Sequence, residues 1–342
     1  MKYLIELNHP KHFYQFQNLS KALLNEGHEV HYIAKDKDVL LSILKEYRVS
    51  FDTFGRRTES LRAKITSSLS TFISYIKLVK RYRPDVIISK ASLFGTISAH
   101  IFGCKSVIFP DSEVVKLTNT IVAPLCTMVI TPSWFGLDYG KKHYRVNGFF
   151  ESCYLSPSTF TPDRTLLKTY NIEQPYAIFR FIGWSANHDI GQYGFTYQQK
   201  LKLVHNVSQY MHTYISSEKP LPPELSKYQL TVPTSKMHDI LAFADLYVGD
   251  SQTMATESAI LGTPAIRSNS WVGENDMTNF KILEHHFGLL RNLPPSEYVV
   301  DLAISYAKVS QKEMWMKKAS EYNSTVGDIN HEIVTLLNQL GK

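Results

Sequence analysis

Cysteine is scarce in this chain: Cys104, Cys126 and Cys153 are the three among 342 residues. Their spacing matches neither a disulfide framework nor a thiolate metal site, so a reducing compartment is expected. Long apolar runs are also missing. None reaches the roughly 18 residues that span a bilayer. The opening MKYLIELNHP turns polar too soon for a secretion signal, so a cytoplasmic protein is expected. The Asn-x-Ser/Thr triplets at Asn18, Asn206 and Asn323 then carry no glycosylation meaning. No strong charge imbalance exists either. Lys and Arg total 37 against 31 Asp and Glu, a net charge of +6 to which 13 histidines could add at lower pH. No nucleic-acid motif accompanies this mild charge, and nucleic acid is not an expected partner. Repeats of short fixed period are absent.

What the chain does have is alternation. Strands are expected at Lys2–Leu7, Glu29–Ala34, Ser50–Phe54, Val86–Ser89, Ser106–Phe109, Met128–Thr131 and Tyr144–Asn147. Helices fill the gaps, including Phe13–Asn25 and a long one over Glu59–Arg83 stopped by Pro84. Strand and helix in turn imply a parallel, doubly wound α/β sheet. Between Phe149 and Pro162 the pattern breaks into YLSPSTFTPD, which reads as a linker. A second series follows, with strands expected at Tyr176–Phe181, Met211–Ile215, Leu230–Val232, Leu246–Val248, Pro264–Ile266 and Leu289–Leu290. A polar-amphipathic helical region runs from about Pro295 to the end. The expectation is two Rossmann-like domains, 1–155 and 156–342, with the terminal helix packing back on the first. A length of 342 residues suits two domains.

Function should concentrate at the carboxyl ends of the strands. The richest segment is LYVGDSQTMATESAILGTPAI, Leu246–Ile266. A short strand turns into a helix whose first N–H groups and dipole attract an anion, most often phosphate. Asp250 or Ser251 would cap that helix, with Gln252 and Thr253 in its first turn. Glu257, one to two turns further in, could accept hydrogen bonds from ribose hydroxyls. An ordinary capped turn is the plain alternative.

Other strand-end loops carry candidate chemistry. Asn8-His9-Pro10-Lys11-His12 follows the first strand, and its histidines could orient a hydroxyl or act as a base. Capping by Asn8 is the plain alternative. Asp111 and Glu113 could serve as acid and base, or cap a helix. In the second half, Arg180 suits a diphosphate through its planar fork, and Trp184 and His188 share its loop. Ser216, Ser217 and Glu218 follow the next strand. His238 lies in the segment that could read a base edge.

These segments carry a resemblance. LNHPKHFYQFQNLSKALLNEGHEV, FRFIGWSANHDIGQYG, ISSEKPLPPEL and GDSQTMATESAILGTPAIRSNSWVG resemble the family called domain of unknown function 354. The two-half arrangement with its phosphate loop is similar to the GT-B fold of nucleotide-sugar glycosyltransferases and of the non-hydrolysing UDP-N-acetylglucosamine 2-epimerases. The resemblance implies a nucleotide-sugar site in the cleft between domains, phosphates on Ser251–Thr253 and ribose near Glu257. Against the epimerases, Phe109-Pro110-Asp111-Ser112-Glu113 lacks the Ala-Gly of their His-Val-Glu-Ala-Gly segment. His188-Asp189 matches their His-Arg-Arg-Glu loop weakly, and Gln252-Thr253 stands where they carry Gly-Gly. The expected activity is therefore sugar transfer from a nucleotide-diphosphate sugar, a UDP-sugar first, to a glycan or lipid-linked acceptor in surface-polysaccharide assembly. His9, His12 or Asp111 would be the base, and Arg180 with the Ser251 helix would hold the leaving diphosphate. The alternatives are an epimerase using Asp111, Glu113 and His188, and a non-catalytic sugar-nucleotide binder. No cofactor and no essential metal are expected; Asp36-Lys37-Asp38 reads as a helix start.

One stretch stands apart. From Gly55 to Lys90 there are nine Lys/Arg against two acids, interleaved with apolar residues in FISYIKLVKRYRP. It reads either as peripheral membrane contact through 56–90 or as a solvated helix face packed on the sheet.

Overall fold

The computed structural model describes residues 1–55, 61–182, 192–217, 220–274 and 276–341, with the side chains of 38 and 61–67 set aside. The chain forms two units, Met1–Tyr154 with Asp328–Lys342, and Leu155–Gly327.

The first unit begins with β1 (Lys2–Leu7), α1 (Pro10–Asn25), β2 (Glu29–Lys35), α2 (Asp38–Glu46), β3 (Phe51–Phe54), α3 (Leu61–Tyr82) and β4 (Val86–Ser89). It continues with α4 (Leu93–Phe102), β5 (Lys105–Ile108), a widened helical turn at Thr118–Val122 running into α5 (Ala123–Leu125), β6 (Met128–Pro132) and β7 (His143–Val146). The short α6 (Ser152–Leu155) ends this stretch. The sheet is fully parallel in the order β3-β2-β1-β4-β5-β6-β7. β4 and β6 are buried at every position, as strands covered on both faces must be. Strand order reverses between β1 and β4. Right-handed crossovers then put α1 and α2 on one face and α3, α4 and α5 on the other. Leu4, Ile33, Tyr75, Val79 and Ile87 form the core beneath α3 and α4.

The second unit contains α7 (Thr165–Thr169), β8 (Tyr176–Phe181), α8 (Tyr197–Val207), β9 (His212–Ser217), α9 (Pro223–Ser226), α10 (Met237–Phe243), β10 (Leu246–Gly249) and α11 (Gln252–Ile260). It closes with β11 (Ala265–Ser268), α12 (Thr278–His285), β12 (Arg291–Leu293), α13 (Glu297–Lys308) and α14 (Lys312–Thr325). Its parallel sheet runs β12-β11-β10-β8-β9 and reverses between β10 and β8. Phe179, Phe181, Leu203, Val248, Ile266 and Val299 centre its core. The last helix, α15 (Ile329–Asn338), belongs to the first unit and packs on α1 and β7.

Four details differ from the sequence expectation, one being that the strand expected at Leu289–Leu290 forms just after it, at Arg291–Leu293. Helix α1 starts at Pro10, because proline suits the first helical position and His9, not Asn8, caps it. Leu230–Val232 forms no strand. The residue before it, Gln229, makes a single bridge to Ile215, and Pro233 then opens a tight turn at Thr234–Lys236, since proline has no N–H for a ladder. The stretch Phe149–Tyr154 is core of the first unit rather than linker: Phe149, Phe150, Cys153 and Tyr154 are all buried. Among the described residues, no helix is long and apolar enough to cross a membrane.

Candidate functional site

At the carboxyl edge of the first sheet, the loops after β1 and β4 flank the point where strand order reverses. Such a crevice is where open α/β sheets hold ligands. His9 caps α1 by accepting the Lys11 N–H at Nδ1, 3.2 Å away. His12 Nδ1 accepts the Asn8 N–H at 3.2 Å. A neutral imidazole has one donor and one acceptor nitrogen. These backbone partners assign the proton to Nε2 in both rings, whose centroids are 6.1 Å apart. Burial, aided by the neighbouring His9 and Lys90, holds the His12 pKa well below 6.5. Its ring is neutral at pH 7 and presents Nε2–H as a donor. Behind it, Asn8 Nδ2 donates to Glu6 Oε1 at 2.6 Å. Burial pushes the Glu6 carboxyl up, against hydrogen bonds from Ser92, Asn8 and Tyr75.

Beside the histidines lies a charge cluster. Lys11 Nζ is 3.0 Å from Asp111 Oδ2 and 2.7 Å from Glu151 Oε1. Lys90 Nζ is 2.9 Å from the same Asp111 oxygen and donates to Gln15 Oε1 at 2.9 Å. The Lys90 ammonium also sits 4.4 Å from the Phe150 ring centroid. Burial would raise the Asp111 pKa, but the Lys11 and Lys90 ammonium groups outweigh it and hold the carboxylate far below its usual range. Burial would likewise lower Lys11; Asp111 and Glu151 reverse that and raise it. For Lys90 burial prevails and its pKa falls. Glu113 turns elsewhere: its Oε1 accepts the Gly136 N–H at 3.0 Å, bracing the loop after β6.

The second unit has its own edge site at the β8–β10 reversal. Asp250 is fully buried and its Oδ1 accepts the Ile182 N–H at 2.8 Å, tying the ends of the two strands together. Asn269 Nδ2 donates to the Asp250 carbonyl at 3.1 Å. At Gly249 a Cβ would lie 2.8 Å from the Arg180 carbonyl oxygen, so the close approach of β10 to β8 requires glycine. Ser251 caps α11, its Oγ accepting the Met254 N–H at 3.4 Å. Helix geometry leaves the Gln252 and Thr253 N–H groups without intrahelical partners, at a partly exposed turn. Arg180 Nη1 donates to Ser216 Oγ at 3.0 Å, and the neighbouring Ser217 is half-buried. Glu257 Oε1 lies 3.1 Å from His238 Nε2, and the Phe160 ring meets His238 edge-on with centroids 6.3 Å apart. Trp184, His188 and Glu218 lie outside the described residues.

Each edge therefore gathers its own predicted residues, Asn8, His9, His12 and Asp111 in one unit and Arg180, Ser216, His238, Asp250, Ser251 and Glu257 in the other. Sequence reasoning missed two, Glu151 and Arg267. Lys90 stands in the strand-end segment Lys90–Gly95 that position singles out, as well as in the basic stretch 56–90, and it joins Asp111. Glu151 was read as linker. Arg267, fully buried on β11, forks onto Asp276 at 2.7 and 3.2 Å and bonds Asn292 at 2.6 Å. The strand-end position of Arg267 was the available signal.

The molecule is thus an α/β protein of two Rossmann-like units. Residues 1–148 match the family described as "Protein of unknown function (DUF354)". No curated protein matches the chain. Among solved structures it is similar to the spinosyn forosaminyltransferase SpnP, at 14% identity over 100% of both chains and a TM-score of 0.66. It is similar to the UDP-GlcNAc 2-epimerase of Methanocaldococcus jannaschii, at 13% identity over 99% of this chain and 100% of that one, TM-score 0.65. MnaA of S. aureus, solved with UDP, matches at 11% identity over 98% and 94% of the two chains, TM-score 0.67. The fold is that of the GT-B glycosyltransferases and UDP-GlcNAc 2-epimerases.

Proposed function

We propose that the protein is a glycosyltransferase that moves a sugar from a nucleotide-diphosphate sugar, with UDP-sugars the first donors to test, to a glycan or lipid-linked acceptor of a surface polysaccharide. The observation that carries this reading is the β8–β10 edge. There the Ser251-capped α11 offers the Gln252 and Thr253 N–H groups, Arg180 stands at the adjoining strand end, and Glu257 is held by His238. In this reading the helix N-terminus and Arg180 receive the diphosphate, and their fixed donors stabilise its charge as it leaves. Glu257 receives ribose hydroxyls.

The first unit supplies the acceptor side. The neutral His12 donates from Nε2 to orient the acceptor. His9, with an exposed ring, is the base: the acceptor's proton goes to its Nδ1, which gives up the Lys11 N–H, and the ring becomes an imidazolium protonated on both nitrogens. The epimerase reading is less well supported. Proton shuttling at a sugar carbon needs acids that titrate near working pH. Asp111, one of the acids that reading needs, is clamped by two ammonium groups that hold its carboxylate far below its usual range.

The test is a thermal-shift screen against UDP, GDP, CMP, dTDP and their sugars, because a ligand of the native state raises the melting temperature. NMR of the bound nucleotide sugar without acceptor comes second. A transferase leaves the donor's sugar unchanged at C2; an epimerase interconverts it. Binding with no turnover under any acceptor would indicate a binder. No shift with any nucleotide would overturn the placement of the site.

A further inference from the structure

Three neighbouring elements of the first unit present apolar side chains to solvent. On α3, Leu69 is 64% exposed, with Ile73 one turn on and also exposed. On α4, Ile101 is 57% exposed and Phe102 follows it. Along the turn leading into α5, Leu117 is 48% exposed and Ile121 follows four residues later. Residues four apart on a helix share one face. Helix α3 packs beside α4, and α4 beside the Thr118–Val122 turn, all on the same side of the sheet. Each of the three neighbouring elements thus carries an exposed apolar pair on the same side of the sheet. Isolated surface hydrophobics need no explanation; contiguous ones on one face do.

Charge identifies what would cover this face. The sequences of α3, α4 and residues 114–127 contain no Asp or Glu. Helix α3 carries Lys77 and Lys80 on its exposed side, and Lys116 precedes Leu117. Among the described residues, neither Lys77 nor Lys80 has a carboxylate within ion-pair distance. Arg81 does, at 3.4 Å from Asp52. At the carboxyl ends of α3 and α4 the basic and apolar groups meet around a depression of about 810 Å³, lined in part by Val79, Lys80, Arg83, Phe102, Cys104 and Lys105. Asp85 borders it, with its carboxylate accepting the Lys2 N–H at 2.7 Å.

We infer that this face docks on an anionic phospholipid bilayer. Leu69, Ile73, Ile101, Leu117 and Ile121 enter the boundary between headgroups and acyl chains, and Lys77, Lys80 and Lys116 meet the lipid phosphates. Apolar insertion combined with basic attraction is how a surface-lying element holds a membrane. The inference does not rest on the proposed activity, since lipid binding is measured with no sugar present.

The experiment is flotation of the full chain with phosphatidylcholine vesicles, with and without phosphatidylglycerol. The wild type should float with the anionic vesicles and much less with the neutral ones, and added salt should release it. Leu69→Ser with Ile73→Ser should lower partitioning by roughly tenfold or more. Leu117→Ser with Ile121→Ser is an independent second variant should the first fail to fold, and thermal melting checks each. Lys77→Glu with Lys80→Glu should remove the preference for anionic lipid, at on the order of fivefold per cation lost. Equal flotation of wild type and folded variants would overturn the inference. So would a wild type that floats with neither vesicle. A wild-type dimer that the serine variants make monomeric, without vesicle binding, would show that the face pairs two copies of this chain instead.

Discussion

Glu257 on α11 and His238 on α10 meet at 3.1 Å, Oε1 to Nε2, with both side chains buried. A carboxylate held this way cannot swing, so its direction is set before any ligand arrives. This pair gives the first prediction. Glu257→Gln keeps the shape and should weaken UDP binding about tenfold, which is about 1.4 kcal/mol. His238→Ala, acting through Glu257, should cost less. Calorimetric titration of UDP against both variants checks this; wild-type affinity in Glu257→Gln would remove the residue from the site.

The two lysines on Asp111 give the second. Asp111→Asn leaves Lys11 and Lys90 with Glu151 as their remaining carboxylate, and should destabilise the first unit by about 3 kcal/mol at pH 7. The folded carboxylate titrates far below the unfolded value of about 3.9. The unfolded chain therefore binds the extra proton first as pH falls. The stabilisation from this group is complete above about pH 5 and fades below about pH 4. Urea unfolding of wild type and variant at pH 7 and in acid should show the difference shrinking. A Lys90→Met, Asp111→Asn double variant should recover part of the loss.

Lys312 gives a third, of opposite kind. Its ammonium donates to the Ala242 carbonyl at 2.7 Å and to Thr263 Oγ1 at 2.8 Å, fastening the start of α14 to α10 and to the loop before β11. Burial lowers its pKa to about 7, against the pull of Asp245. From about pH 7 to about 10.4 the unfolded chain holds a proton that the folded chain has lost. Stability from this group should rise with pH across that window, by roughly 1.4 kcal/mol per pH unit at most. In Lys312→Met that slope should vanish, so the variant should compare best with wild type at pH 6 and worst at pH 9. Parallel stability curves for the two proteins would disprove it.

Arg267 gives the fourth. Its guanidinium lies 3.7 Å from the Phe280 ring centroid and forks onto Asp276, all of it buried. Arg267→Met strands the Asp276 carboxylate and should cost about 3–5 kcal/mol. Arg267→Lys keeps the charge but not the fork, and should cost about 2 kcal/mol. Guanidinium unfolding measures both. A loss below about 1 kcal/mol in Arg267→Met would show that the pair is not needed to hold the β11 edge.

Alternation of apolar segments with helical periods made both sheets legible, and strands such as Val86–Ser89 need only their own side chains to be recognised. Position alone then singled out the loops after β1, β8 and β10. The Ser251 cap was readable because a cap is local: hydroxyl and N–H are three residues apart. Leu230–Val232 misled because its apolar residues suit a strand, while pairing was decided by Ile215 and stopped by Pro233.

The sequence by itself determined most of the β/α order, the Ser251 cap of α11 and which loops stand at the strand ends, since these follow from periodicity and from contacts within a few residues. The tertiary structure alone decided that Lys11 and Lys90 share one oxygen of Asp111, 100 and 21 residues away from them. It alone assigned the protons of His9 and His12 through backbone partners. It alone brought α3, α4 and the Thr118–Val122 turn, with their exposed Leu69, Ile101 and Leu117, to one side of the sheet. Charge pairs, tautomers and surface patches depend on distances through space, and a linear sequence does not contain those until the sheet sets them.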